Sequence, residues 1–378
     1  MTATSTGKIF ILTNSVQIGG MEEHVRLLAT HLDRTRFHVT VGFPKWGPTD
    51  SFVASLEEAA DEVVIITPDR RPGPQWQLAE AVRLLRLLRR ERYDVVHFHS
   101  TDWLGHNLAM IAARLAGVPK IFVTEHLPPD TRQSPLRAIA SRLRFTSATL
   151  VCISTFNRTE RAKHLPEPAS TVVVENGIDT ARFDEEIPEP AIAAARLETG
   201  IEPDDIVVGT AIRFEQQKGV EDLVEGFALV AAEHPDTKLL LVGDGKLRPD
   251  LEKQVVDLGI SDRVVFAGFR ADPRPFISMI DVFVIPVPFG SGSIGLLEAM
   301  AMRKPCVISF GGEGEAPVPG ESGFWAEPHQ PASIAEHVGR LVADPAERHR
   351  IGDNARARVE QDFSAERVAR SFEELYED

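Results

Sequence analysis

The sequence predicts an α/β fold made of two doubly wound, Rossmann-like parallel-sheet domains facing each other across a cleft. Three observations carry that expectation. Short, near-continuous apolar runs alternate with amphipathic helical patterns, as parallel strands covered on both faces require. The alternation lapses in a Pro- and Glu-rich stretch at 184–195 and then begins again. A chain of 378 residues is also long enough for two domains, each with a core of its own.

In chain order, the first half carries strand-like runs at 9–13 (IFILT), 37–43 (FHVTVGF), 63–66 (VVII), 94–99 (DVVHFH), 121–124 (IFVT), 149–154 (TLVCIS) and 171–174 (TVVV). Helical patterns separate most of them. In EEHVRLLATHL, residues Val25, Leu28, Ala29 and Leu32 share one stripe with charges opposite. The second half repeats the scheme at 206–212, 238–243, 264–268, 282–286 and 306–310. The expected domains are therefore 1–186 and 187–363; by pattern alone, a last helix from Ser364 fits either. Ligands of such sheets sit beyond the carboxyl ends of the strands, which makes the cleft the expected site.

With 43% hydrophobic and 26% charged residues and no low-complexity tract, disordered and collagen-like classes are excluded. The two cysteines, Cys152 and Cys306, lie in apolar runs, which reads as buried thiols in a reducing compartment. The N-terminal stretch lacks the apolar length of a signal segment, and no run of about 18 apolar residues occurs, so a cytoplasmic protein is expected. Residues 1–186 carry 22 Lys and Arg against 22 Asp and Glu, so the whole net charge of −15 falls on the second half. That balance disfavours nucleic-acid binding, which depends on neutralising phosphates.

Several segments carry candidate chemistry. Gly19-Gly20 precede a helix whose free N–H groups suit an anion, although a plain turn explains two glycines equally well. Glu22 and Glu23 in its first turn would themselves cap the helix dipole. Arg213 and Lys218 stand five residues apart after the strand at 206–212, a spacing that fits convergence on a diphosphate or pairing with Glu215 or Glu221. Gly243, Asp244 and Gly245 form a turn into a helix. Ser291, Gly292 and Ser293 precede a helix starting at Ile294, in which Glu298 sits among apolar neighbours and suits hydroxyl donors such as a ribose diol. A glycine-rich loop holds Glu313 and Glu315.

His97 and His99 share one side of a strand, but their surroundings lack the further ligands of a zinc hydrolase, and no metal site is expected. His126 follows an apolar strand directly and is the general acid/base or substrate-orienting candidate of the first half. Arg83, Arg86, Arg89, Arg90 and Arg92 interleave with leucines, and Arg132, Arg137, Arg142 and Arg144 decorate a second expected helix. Such surfaces suit anionic lipid; a packed helix with a solvated arginine face is the preferred reading.

Taken in order, GGMEEHVRLLATHL, DVVHFHSTDW, VTEH, VVVENGIDTARF, AIRFEQQKGVEDLVEGFALV, LLLVGDGKLRPDLE, VVFAGF, GLLEAMAMRKPCVIS, GGEGE and GESGF resemble the family 4 glycosyltransferases of the GT-B fold over nearly the whole chain. The resemblance implies a retaining transferase that needs no metal or other cofactor. It would move a sugar from a nucleotide-diphosphate sugar, UDP- or GDP-linked, to an acceptor hydroxyl in cell-surface polysaccharide, glycolipid or metabolite assembly. It places Gly19, Gly20, Gly243, Ser291, Gly292, Ser293, Ile294, Glu298 and Glu315 at the donor, with Arg213 and Lys218 neutralising its diphosphate. Glu23, His99 and His126 fall on the acceptor side, His126 beside the reacting sugar. The last helix, 364–378, would return to the first domain. The remaining implied partners are the acceptor itself and peripheral membrane contact through the basic helices. One departure stands out: the first glutamate of the family's Glu, seven residues, Glu motif is Gly290 here. That leaves a second reading, a sugar-nucleotide-binding protein with weak or no transferase activity. A sugar-nucleotide epimerase of the same fold is disfavoured by the motif series.

Overall fold

The structure, a computed structural model, describes residues 7–13, 19–44, 50–67, 74–100, 106–127, 139, 143–165, 167–168, 170–288, 293–309 and 316–378. The chain divides into two compact units. One comprises Met1–Ile178 together with Ala365–Asp378, the other Asp179–Ser364. The division thus falls at Asp179, ahead of the Pro- and Glu-rich stretch in which the sequence places it.

The first unit holds a seven-stranded parallel sheet in the order β3-β2-β1-β4-β5-β6-β7. The strands are β1 (Gly7–Thr13), β2 (Phe37–Pro44), β3 (Glu62–Thr67), β4 (Val95–Ser100), β5 (Lys120–Glu125), β6 (Thr149–Cys152) and β7 (Thr171–Val173). Alternation along β1 shows why its run is apolar throughout. Ile9 and Ile11 pack with Val25 and Leu28 of the helix Gly20–His31, whereas Phe10 and Leu12 pack with Leu84, Leu88, Met110 and Ala113 on the other face. Both faces are buried, and each large side chain so covered contributes roughly 1.5–3 kcal/mol.

The last helix, Ala365–Glu377, closes the same core with Val368, Phe372 and Tyr376 at four-residue spacing. Its start is tied by the Ala365 N–H donating to the Ile178 carbonyl at 2.9 Å. Near its end, Arg36 pairs with Glu373 at 2.7 Å and Glu377 at 2.5 Å, and Lys120 Nζ donates to the Tyr376 carbonyl at 2.8 Å.

The second unit has a six-stranded parallel sheet ordered β10-β9-β8-β11-β12-β13. These are β8 (Ile206–Ala211), β9 (Thr237–Val242), β10 (Val264–Gly268), β11 (Val282–Ile285), β12 (Cys306–Ser309) and β13 (Phe324–Ala326). Val208, Leu239, Leu241, Val282, Val284 and Val307 meet Leu223 and Phe227 of the helix Val220–Glu233 in one core. The edge strand β13 has no counterpart in the sequence reading, because its FWA lacks the β-branched run that marks the equally short β7.

Both cysteines are free and buried; burial pushes the Cys152 thiol up to about 12 and the Cys306 thiol higher still. In the helix Pro74–Glu91, Leu84 and Leu88 are buried while Arg83, Arg86, Arg89 and Arg90 are exposed, as is Arg92 just beyond it. Arg144 corrects the expectation of a decorated surface. It is buried, with Nε on Met110 Sδ at 3.2 Å and its guanidinium 5.3 Å from the Phe145 ring centre. Arg132, Arg137 and Arg142 lie outside the described residues. No helix among the described residues is long and apolar enough to cross a membrane.

Candidate active site

Each sheet reverses its strand order once, between β1 and β4 in the first unit and between β8 and β11 in the second. Crossover connections diverge at such a point and leave a crevice beyond the carboxyl ends. Several of the sequence candidates within the described residues lie on the loops and helices around these two places.

In the second unit the chain leaving β8 carries Arg213, makes a 3-10 turn over Gln216–Lys218, and enters the helix Val220–Glu233 through Gly219. Arg213 has a side chain 65% exposed and pairs with Glu215 at 3.6 Å. Lys218 is half-buried, and burial first, then the Arg213 charge, holds its ammonium below the usual lysine range while Glu215 opposes the shift. A lysine whose charge is disfavoured by burial and by a neighbouring guanidinium gains from an anion placed between the two.

Backbone crowding fixes this loop. Gly243, following β9, has φ 141°, and a Cβ there would lie 1.9 Å from the Ile212 carbonyl oxygen. A Cβ at Gly245 would come 2.3 Å from the Phe214 oxygen. These glycines therefore let the loops after β8 and β9 touch, a packing role beside the donor role the resemblance gives Gly243.

The helix Ile294–Ala301 follows β11. Ser293 caps it, its hydroxyl accepting from the Leu296 N–H at 3.4 Å. Gly295 brings its first turn close to Ala211, so its N-terminus faces the end of β8. Ile294 and Glu298 are half-buried; the Arg274 guanidinium is held above its usual range chiefly by its hydrogen bonds to Asp272, with Glu185 and Glu298 adding smaller charge contributions. Gly290, Ser291, Gly292, Glu313 and Glu315 lie outside the described residues.

In the first unit, His126 follows β5 and is buried together with His99 of β4. His99 Nδ1 and His126 Nε2 share a hydrogen bond at 3.0 Å. The strand register, His99 opposite Thr124, brings them together. His97 stacks on His99 with ring centres 4.1 Å apart, and His24 lies 5.4 Å from His99 and 5.2 Å from His126. Burial dominates in all four and lowers each imidazole, His24 to about 4 and the others well below the usual value. The cluster is therefore neutral near pH 7, and His126 can accept or orient a hydroxyl proton without first losing its own charge.

Both ring nitrogens of His97 are engaged, by Tyr376 Oη at 2.5 Å and Thr124 Oγ1 at 2.7 Å. Among the described residues, no group of three or more His, Cys, Asp or Glu side chains could hold a metal. Gly19 departs from the expected glycine geometry: at φ −163° its backbone is extended and open to any residue. Glu23 pairs with Arg26, Nε to Oε2 at 3.0 Å. His24 and Tyr376 were not singled out in the sequence, yet both complete the histidine cluster.

The second unit coincides with a match to the family "Glycosyl transferases group 1" over residues 192–358, and the first with "Glycosyltransferase Family 4" over 18–182. An uncharacterized glycosyltransferase of Methanocaldococcus jannaschii is 30% identical over 381 aligned residues, covering 95% of this chain and 94% of the relative. The chain belongs to the family 4 glycosyltransferases.

This glycosyltransferase is also similar to the glycogen synthase of Mycobacterium tuberculosis, 29% identical with 96% of this chain and 91% of the relative covered. Among solved structures, HepE of Anabaena in complex with UDP and glucose superposes with a TM-score of 0.80 at 24% identity, covering 98% and 99% of the two chains. That likeness confirms the GT-B fold, two parallel-sheet α/β domains.

Proposed function

We propose that this glycosyltransferase uses a nucleotide-diphosphate sugar, UDP- or GDP-linked, and transfers its sugar to an acceptor hydroxyl with retention of anomeric configuration and without a metal. The observation that carries the reading is that Arg213 and half-buried Lys218 lie on the loop leaving β8 while the helix Ile294–Ala301, after the neighbouring strand β11, brings its first turn close to Ala211 at the end of β8. Breaking the bond between C1 and the phosphate oxygen leaves positive charge on the sugar and negative charge on the diphosphate. Two cations and a helix N-terminus are fixed donors for that negative charge, the role a metal would otherwise take.

On this reading the acceptor oxygen bonds to C1 on the face the phosphate leaves, and its proton passes to the departing phosphate oxygen. Neutral His126 orients the sugar or acceptor, and Glu298 accepts the ribose hydroxyls. Polysaccharide or glycolipid assembly is the setting favoured by the glycogen synthase relative. Leu84 and Leu88 are occupied in the core, while Leu78 and Val82 of the helix Pro74–Glu91 are exposed beside its arginines; contact with an anionic membrane would rest mainly on those arginines and weaken with salt.

Gly290 favours the second reading, a donor-binding protein with weak turnover, because the resemblance puts a carboxylate there. The test combines a thermal-shift panel of UDP, GDP, ADP and dTDP with turnover of the matching sugars in chelator, reading the product anomer by NMR. Transfer with retention in chelator supports the proposal. Inversion, loss of activity in chelator, or binding without transfer each rejects a stated part of it.

A further inference from the structure

We infer that Tyr376, on the last helix, is a positioning residue for His126, acting through His97 and His99. The inference rests on the reading of His126 as the group beside the reacting sugar; the positional link itself is tested without reference to turnover.

The link is continuous. Tyr376 is buried, and its phenol is held well above its usual range by that burial, so it stays protonated. Its hydroxyl sits 2.5 Å from His97 Nδ1, and His97 Nε2 sits 2.7 Å from Thr124 Oγ1. A neutral imidazole has one donor and one acceptor nitrogen. With both nitrogens engaged the ring is held in one orientation, and its tautomer is coupled to the direction of the Tyr376 hydroxyl: where Tyr376 donates to Nδ1, Nε2 carries the proton and donates to Thr124, and where Tyr376 accepts, the two directions reverse.

That oriented ring is the floor on which His99 stacks, at 4.1 Å between centres and 41° between planes. His99 Nδ1 in turn holds His126 Nε2 at 3.0 Å. Phe372, one turn before Tyr376, flanks both His97 at 5.1 Å and His24 at 5.8 Å between ring centres. His24, His97 and His99 are 0% exposed and His126 is 7% exposed, so the buried array opens outward at His126 alone among these four. A column of rings fixed at its inner end by the last helix therefore sets the orientation of the one ring able to meet substrate.

The experiment compares the full chain with Tyr376→Phe, which keeps the ring against Phe37, Phe122 and Phe372 and removes only the hydroxyl. Nitrogen-15 imidazole spectra read the tautomer of each histidine, and kinetics read kcat, KM and the pH profile. The expected result is altered ring signals at His97 and at His126, with kcat lower by about tenfold and donor KM within about twofold. Glu377→Ala, which loosens the same helix through Arg36, should leave the His126 signals in place.

Should Tyr376→Phe not fold, Thr124→Val removes the other partner of His97 and should shift the same signals. The inference is overturned if His126 signals stay unchanged while those of His97 move, or if Glu377→Ala reproduces the shift. Loss of activity in His126→Ala tests the reading of His126 separately, since the ring signals of the intact chain report the link in either case.

Discussion

A Cβ placed on Gly219 would lie 2.1 Å from the carbonyl oxygen of Pro286, and Gly219 itself sits at φ +65°. The loop after β8 is thereby pressed against the chain leaving β11, with Lys218 at the junction. Gly219→Ala should cost at least ~1 kcal/mol for the left-handed backbone and more for the displaced loop, because a backbone carbonyl cannot swing away as a side chain can. Urea unfolding and transfer kinetics should show both a lower midpoint and a lower kcat/KM.

Removing the cations should affect transfer far more than folding, since neither anchors the core. Lys218→Ala and Arg213→Ala should each lose ~2–4 kcal/mol of transition-state stabilisation, roughly 30- to 1,000-fold in kcat/KM. Arg213, more exposed and already paired with Glu215, belongs at the lower end. Activity within a few-fold of the parent in both variants would remove them from the site.

Acid should destabilise the first unit through its histidines. In the unfolded chain His24 takes up a proton near 6.5, but in the folded chain only near 4. Between those values the unfolded state binds the extra proton, so stability falls as pH drops, by ~3 kcal/mol for His24 alone. Urea midpoints should decline from pH 7 to pH 5, and His24→Leu should flatten that slope whatever it does to absolute stability.

Gly290 stands where the family resemblance puts a carboxylate. If Glu315 of the glycine-rich loop stands in for it, Glu315→Gln should lower kcat/KM about tenfold by removing a charged hydrogen-bond acceptor. Glu313→Gln serves as the comparison. Unchanged turnover in both would exclude that loop as the source.

Much of the fold was legible because buried parallel strands need apolar residues on both faces, as Ile9 to Leu12 illustrate. β13 was not, since its three residues FWA lack the β-branched run that made the equally short edge strand β7 visible. For Arg213 and Lys218, chain position left an anion site and a solvated pair with Glu215 or Glu221 equally open, and the burial of Lys218 beside Arg213 became visible only in the folded loop. The histidine cluster was half visible. His97, His99 and His126 sit on strands and strand ends, but His24 reads as one more residue beside an apolar helix stripe. Tyr376 lies 279 residues from His97, and only tertiary packing joins them. A four-residue recurrence of Val368, Phe372 and Tyr376 was the available signal for that buried face.

The central claim is that Arg213 and Lys218 grip the donor diphosphate, and a structure of the protein with bound nucleoside diphosphate tests it most directly. The expected result is both side chains within hydrogen-bond distance of the phosphate oxygens, above the reversal between β8 and β11. An ordered diphosphate seated elsewhere, with both side chains turned to water, would contradict it.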